Sequence, residues 1–211
     1  IIRSSSLQNE DGMGYMLKRD GDKEIFINKG LFNVENIIKE VEELYVEPND
    51  EFVFHLRMST SGMRNDDNCH PFIVNNHEKN ILLNNTFVSY PCIVHNGIFG
   101  QFSYSEDKFS DTYYFIKEYL SPHGVLYDEK KMKYLTYHLG WNKIAVLYPQ
   151  ENRKMELFGN FYEEGNYFVS NRGYTLRKPF SMKYFKNSKY SKKSSFIHET
   201  EDEDEYWRDI I

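Results

Sequence analysis

The chain has 211 residues and a formal net charge of −6, with 40% hydrophobic and 27% charged residues, 16 Phe and 17 Tyr. Such a chain can bury a sizeable core, and its acidic balance argues against broad nucleic-acid binding. No apolar run approaches the roughly 18 residues of a membrane span, so no membrane partner is expected.

The elements read as follows. Gly14 to Leu17 and Glu24 to Ile27 form two short strands around an Asp20-Gly21 turn. Asn33 caps a helix whose apolar residues fall at Val34, Ile37, Ile38, Val41, Leu44 and Tyr45, and Pro48-Asn49-Asp50 ends it. Glu51 to Met58 alternates as a strand, with Phe52, Phe54, Leu56 and Met58 on one face and Val53, His55 and Arg57 on the other. An Asn/Asp-rich loop runs from Ser59 to Asn68, and Ile81 to Leu83 and Phe87 to Val94 continue as short strands. Ser110 is a natural N-cap for a second helix, stopped by Pro122 and Gly124, and Glu129 to Leu139 is a third, closed by Gly140. Lys143 to Tyr148, Met155 to Phe158 and Tyr167 to Ser170 follow as strands. This order predicts a layered α+β domain with antiparallel sheets. It covers residues 1–178. Residues 179–211 hold a basic block followed by an acidic one and read as a solvated tail, or as an arm docking on a protein partner through Tyr206-Trp207 and Ile210-Ile211.

The two cysteines, Cys69 and Cys92, show no repeated spacing. A single disulfide is open, and a reducing, cytoplasmic setting is the expectation. With no CxxC pair and no HExxH, no metal or cofactor is expected. No signal peptide is visible, and the chain opens on Ile1-Ile2-Arg3 without an initiator methionine.

Polar clusters gather at element ends, where scaffolds place chemistry. The first of note is His95-Asn96-Gly97-Ile98, after the apolar run Tyr90-Pro91-Cys92-Ile93-Val94. An Asn-Gly pair is a plain hairpin turn, or it presents a backbone N–H and an amide side chain as an oxyanion hole. Arg57 offers a fork that fits a carboxylate, or it is a surface ion-pair partner. Asp111 accepts from an ammonium, or serves only the helix start. A ligand with an α-amino acid head and a reactive carbonyl would satisfy all of them.

Taken in order, Asn9-Glu10-Asp11-Gly12-Met13-Gly14, His55-Leu56-Arg57-Met58-Ser59-Thr60-Ser61-Gly62, Asn68-Cys69-His70-Pro71-Phe72, His95-Asn96-Gly97-Ile98 and Ser110-Asp111-Thr112 resemble the class II glutamine amidotransferase domain, an N-terminal-nucleophile hydrolase. The likeness runs from about Asn9 to Gly173, with Tyr167 to Asn171 resembling the closing strand. It implies a four-layer α/β/β/α sandwich of two antiparallel sheets flanked by helices, and hydrolysis of glutamine to glutamate and ammonia. Residue by residue, it implies that Arg57 grips the substrate carboxylate beside Thr60 and that Asn96 and Gly97 form the oxyanion hole. It further implies that Asp111 holds the ammonium, that His70 stands near the pocket, and that the Asp11-Gly12 turn lies close to the nucleophile. The chain departs from the pattern in two ways. Ser61 stands where histidine is common, and the family's N-terminal cysteine, whose α-amino group acts as base, is absent along with the first strand that carries it. Cys69 beside His70 is a conceivable substitute or a small packing residue. The expectation is therefore a glutaminase whose cysteine precedes Ile1, with glutamine as ligand and a separate ammonia-accepting or structural protein as partner. The alternative is a catalytically inactive module for binding or structure. The richness in Asn, Lys, Ile and Tyr suits a phage genome, which would place that module in a virion.

Overall fold

A computed structural model describes residues 11–58, 62–104 and 108–172. Thr60, Ser61 and the charged C-terminal stretch lie outside these residues. Strands β1 (Met13–Lys18), β2 (Ile25–Leu31) and β3 (Glu51–Leu56) form one antiparallel sheet with β5 (Thr86–Val88), in the order β3-β1-β2-β5. Strands β4 (Phe72–Ile73), β6 (Cys92–Asn96), β7 (Lys143–Leu147) and β8 (Glu156–Phe158) form a second, in the order β4-β6-β7-β8. A hairpin of β9 (Tyr162–Glu164) and β10 (Tyr167–Val169) completes the strands. Helices α1 (Val34–Glu43), α2 (Glu78–Ile81), α3 (Asp111–Phe115) and α4 (Glu129–His138) intervene. The chain is thus α+β with antiparallel sheets. Among the described residues, no helix is long and apolar enough to cross a membrane.

Period-two alternation sorts the side chains into two cores. Met16, Ile25 and Ile27 of the first sheet pack with Ile73, Cys92, Val94, Ala145 and Leu147 of the second. On the opposite face of the first sheet, Met13 and Tyr15 meet Ile37 of α1, flanked by Phe52, Phe54 and Leu56. The Asn33 side chain caps α1 by accepting from the N–H groups of Glu35 and Asn36. Glu40 of α1 then accepts from Tyr15 Oη at 2.6 Å, tying the helix to the sheet.

Several sequence expectations are corrected. Ile81 to Leu83 is not a strand. Asn75 Oδ1 accepts from His77 N at 2.8 Å, and this local turn launches α2 instead. Asn84 then takes the edge position a strand would fill, its side chain accepting from Lys29 N at 2.7 Å and donating to Lys29 O at 2.9 Å. The run Phe87 to Val94 is two strands, β5 and β6, and they belong to different sheets. The second helix is α only to Phe115 and widens to a π turn over Ile116–Leu120. Ser110 occupies its N-cap without a side-chain capping bond. Strands β4 and β9 have too few residues to show a period and were not foreseen. Both cysteines are free and buried.

Lys29 is a core residue, 2% exposed. Its ammonium sits 4.4 Å from the Phe72 ring centre and 3.4 Å from Asp67 O. Burial lowers its pKa to about 8. An apolar residue of similar shape avoids that desolvation cost, so Lys29→Met is expected to raise stability at pH 7 by about 1–3 kcal/mol. Urea unfolding checks this. The gain should shrink from pH 8 toward 10.5, where only the unfolded wild-type chain still holds the lysine proton.

Candidate functional site

Arg57 follows β3, and its backbone is held from both sides. Its N–H donates to Gly12 O at 2.8 Å and its carbonyl accepts from Asp11 N at 3.2 Å. Gly12 has φ +126°, and a Cβ there would stand 2.2 Å from Cys69 Sγ. Only glycine satisfies both conditions. The Asp11-Gly12 turn is thus a brace for Arg57, while the Asp11 carboxylate pairs with Arg64 Nε at 3.1 Å. The Arg57 side chain is 4% exposed and donates to Met63 O at 3.2 Å. Burial lowers its pKa, opposed by the nearby Cys69, Asp11 and Asp111.

Asp111 opens α3. Its two oxygens accept from Phe99 N at 2.7 Å and Thr112 N at 2.9 Å. The backbone therefore fixes the carboxylate's orientation before any ligand arrives. Fully buried Asn68 sets the approach to this helix. Its amide donates to Met63 O and Lys108 O at 3.0 and 2.8 Å, and its Oδ1 accepts from Ser110 N at 2.7 Å. One side chain thereby ties the loop under Arg57 to the start of α3.

At the end of β6 the chain turns through Asn96 and Gly97. Asn96 Nδ2 donates to Ser170 Oγ at 3.0 Å. Gly97 has φ +146°, and a Cβ there would lie 2.0 Å from Asn142 Oδ1. The neighbouring His95 is held at both ring nitrogens, Nε2 against Asn142 Oδ1 at 3.0 Å and Nδ1 against Thr112 Oγ1 at 2.9 Å. Its ring stacks on Phe99 with centroids 3.9 Å apart.

These parts enclose a cavity of about 270 Å³, lined by Arg57, His70, Asn96, Gly97 and Asp111 together with His55 and His95. The structure thus brings together every sequence-predicted site residue among those described. Thr60 lies outside them. No protein-family model matches the chain, and no curated protein matches it.

The histidines give the cavity its electrical character. Burial lowers the pKa of His55 to about 4 and that of His70 well below its ordinary value, with His55, His95 and Arg57 adding repulsion at His70. Burial lowers His95 as well, against the pull of Asp111. All three are neutral at pH 7. Among the described residues, Arg57 and Asp111 are then the only charged ones of the lining, one of each sign.

Cys69 is no substitute nucleophile. It is buried and outside the cavity lining, its Sγ lies 3.4 Å from Asn65 O, and burial raises its thiol pKa. His70 instead sets its Nε2 3.2 Å from Thr112 Oγ1. Cys92 lies in the core between the sheets. Among the described residues no cluster of His, Cys, Asp or Glu is arranged to hold a metal ion.

Sequence reasoning overlooked His55, His95, Thr112 and Asn142 as site residues. The first three stand inside the quoted clusters, so position alone could have flagged them. Asn142 carries no such signal, because only the β6–β7 pairing brings it beside Gly97.

Proposed function

We propose that the cavity binds an α-amino acid zwitterion with a side-chain amide, and that the domain is a glutamine amidotransferase-like hydrolase. The observation that carries this reading is the lining's pair of opposite charges beside an Asn-Gly turn. Arg57 grips the α-carboxylate through its planar fork, assisted by Thr60, and Asp111 takes the α-ammonium. The side-chain amide then reaches the turn, where Asn96 Nδ2–H and Gly97 N–H hold the oxygen as it becomes an oxyanion. A thiolate attacks the amide carbon, ammonia leaves as the tetrahedral adduct collapses, and water cleaves the thioester to glutamate. The arrangement we propose for the fold is the four-layer α/β/β/α sandwich, with the helices outside the two sheets.

The reaction needs a cysteine that neither Cys69 nor Cys92 supplies, so the nucleophile would be an N-terminal cysteine upstream of Ile1. The burial of both internal cysteines favours a second reading, in which the same pocket binds an amino acid without hydrolysing it. Reading the coding sequence ahead of Ile1 and assaying ammonia release from L-glutamine by the resulting protein decides between them. A Met-Cys start with activity that falls at least about 100-fold in Asp111→Ala supports the enzyme. Ammonia release unaffected by Asp111→Ala contradicts the assignment of the substrate clamp.

A further inference from the structure

We propose that Asn142 is a positioning residue for the Asn96-Gly97 turn, acting with His95 as a wall that fixes the Gly97 peptide. The inference rests on the oxyanion-hole reading of that turn and assigns its support. Register explains the placement. Asn96 pairs with Lys143 across β6 and β7, so the next residue on each strand, Gly97 and Asn142, meet just beyond the ladder. Asn142 Oδ1 occupies the space where a Gly97 side chain would stand, 2.0 Å from the Cβ position, and His95 Nε2 lies 3.0 Å from it. The turn is therefore pressed against two polar atoms that are themselves held.

The hydrogen-bond directions follow from what each group can do. Asn142 Nδ2 donates to Leu139 O at 3.0 Å. A carbonyl only accepts, so the amide must present Oδ1 to His95. His95 therefore carries its proton on Nε2, and in the neutral ring Nδ1 accepts from the Thr112 hydroxyl. Thr112 Oγ1 in turn accepts from His70 Nε2–H. The order of protons runs one way, from His70 through Thr112 and His95 to Asn142. Thr112 is also the residue whose N–H holds Asp111. The chain thereby joins the helix start that carries Asp111 to the turn that carries Gly97. Turning the Asn142 amide over would set two acceptors together at Leu139 and two donors together at His95, so each bond enforces the other.

The test is heteronuclear NMR on the full chain with Asn142→Asp, which keeps the side-chain volume, and Asn142→Ala. Wild type should show His95 as the Nε2–H tautomer at neutral pH. In Asn142→Asp a carboxylate faces Nε2–H, so the His95 titration midpoint should rise by about one pH unit or more. Asp111 already faces this ring, and His55 and His70 add no charge while neutral. The Gly97 amide signal should move in both variants, and its hydrogen exchange should quicken by roughly tenfold in Asn142→Ala. A folded Asn142→Asp protein with an unmoved His95 midpoint and an unmoved Gly97 amide would overturn the proposal. In a glutaminase assay, Asn142→Ala should lower kcat roughly 10- to 100-fold with KM nearly unchanged, because the clamp at Arg57 and Asp111 is intact. NMR shifts without any glutaminase activity in the protein that carries the upstream cysteine would support the positioning pair and sink the catalytic reading of the site. Glutaminase activity with kcat unmoved by Asn142→Ala would do the reverse.

Discussion

Gly97→Ala is expected to lower the unfolding free energy by about 2–4 kcal/mol. Two costs add. At φ +146° the backbone occupies a region that side chains rarely adopt, which costs about 1–3 kcal/mol. The new methyl also falls 2.0 Å from Asn142 Oδ1. Asn142 must swing away and give up its contact with His95, a hydrogen bond worth about 1 kcal/mol. Gly124 supplies the control. It too has a left-handed φ, +57°, but nothing lies within 4 Å of its Cβ position. Gly124→Ala should cost only about 1–2 kcal/mol. Urea denaturation of both variants separates backbone strain from the close approach. Equal midpoints would show that Asn142 yields without cost and that the Gly97 turn is not tightly supported.

Acid should unfold this protein while most of its carboxylates are still charged. The pKa of His55 falls from 6.5 to about 4 on folding, and His70 and His95 move the same way. Between these values the unfolded chain binds protons that the folded chain refuses, so stability rises with pH across the window. It is retained in full above about pH 6.5 and is lost progressively toward pH 4, up to roughly 3 kcal/mol for His55 alone. The physical cause is crowding as well as burial. The His55 and His70 rings are 4.1 Å apart, and among the described residues their buried Nδ1 atoms have no hydrogen-bond partner. Arg57 and Lys29 add positive charge nearby. His55→Gln can keep a donor for His95 O, which the His55 ring now contacts at 3.0 Å, and removes one titration. Its unfolding free energy should be flatter between pH 6.5 and 4 than that of wild type. A wild-type profile that is already flat over this range would mean that the cluster is hydrated and carries no such penalty.

The sequence made most of this arrangement legible, for identifiable reasons. The alternation over Phe52, Phe54 and Leu56 marks a strand, and the structure places Val53 in one core and those residues in the other. The Asn33 cap and the apolar positions Val34, Ile37, Val41 and Leu44 were equally plain, whereas Tyr45 lies beyond the helix at a left-handed φ and is exposed. What failed was the asparagine-rich stretch from Asn75 to Asn85. There, side-chain amides stand in for backbone partners, and propensity carries little information. The split of Phe87 to Val94 between two sheets was likewise hidden, because an apolar run does not say which sheet it joins. Arg57, Asn96, Gly97 and Asp111 were readable as candidates and do line one cavity, but what supports them was not readable. Asn68 and Asn142 act through contacts far apart in sequence, and no local pattern announces them.

The central claim is that the cavity is built for an amino acid zwitterion. Titration calorimetry of L-glutamine and L-glutamate into the 211-residue chain tests it without needing a nucleophile. Both should bind. Affinity should fall by about 100-fold or more in Arg57→Ala and in Asp111→Asn, since each leaves a charged ligand group unpaired in a buried site. Neither glutarate, which lacks the ammonium, nor 4-aminobutyrate, which lacks the α-carboxylate, should bind measurably. Absence of binding by either amino acid, or binding that survives both substitutions, would contradict it.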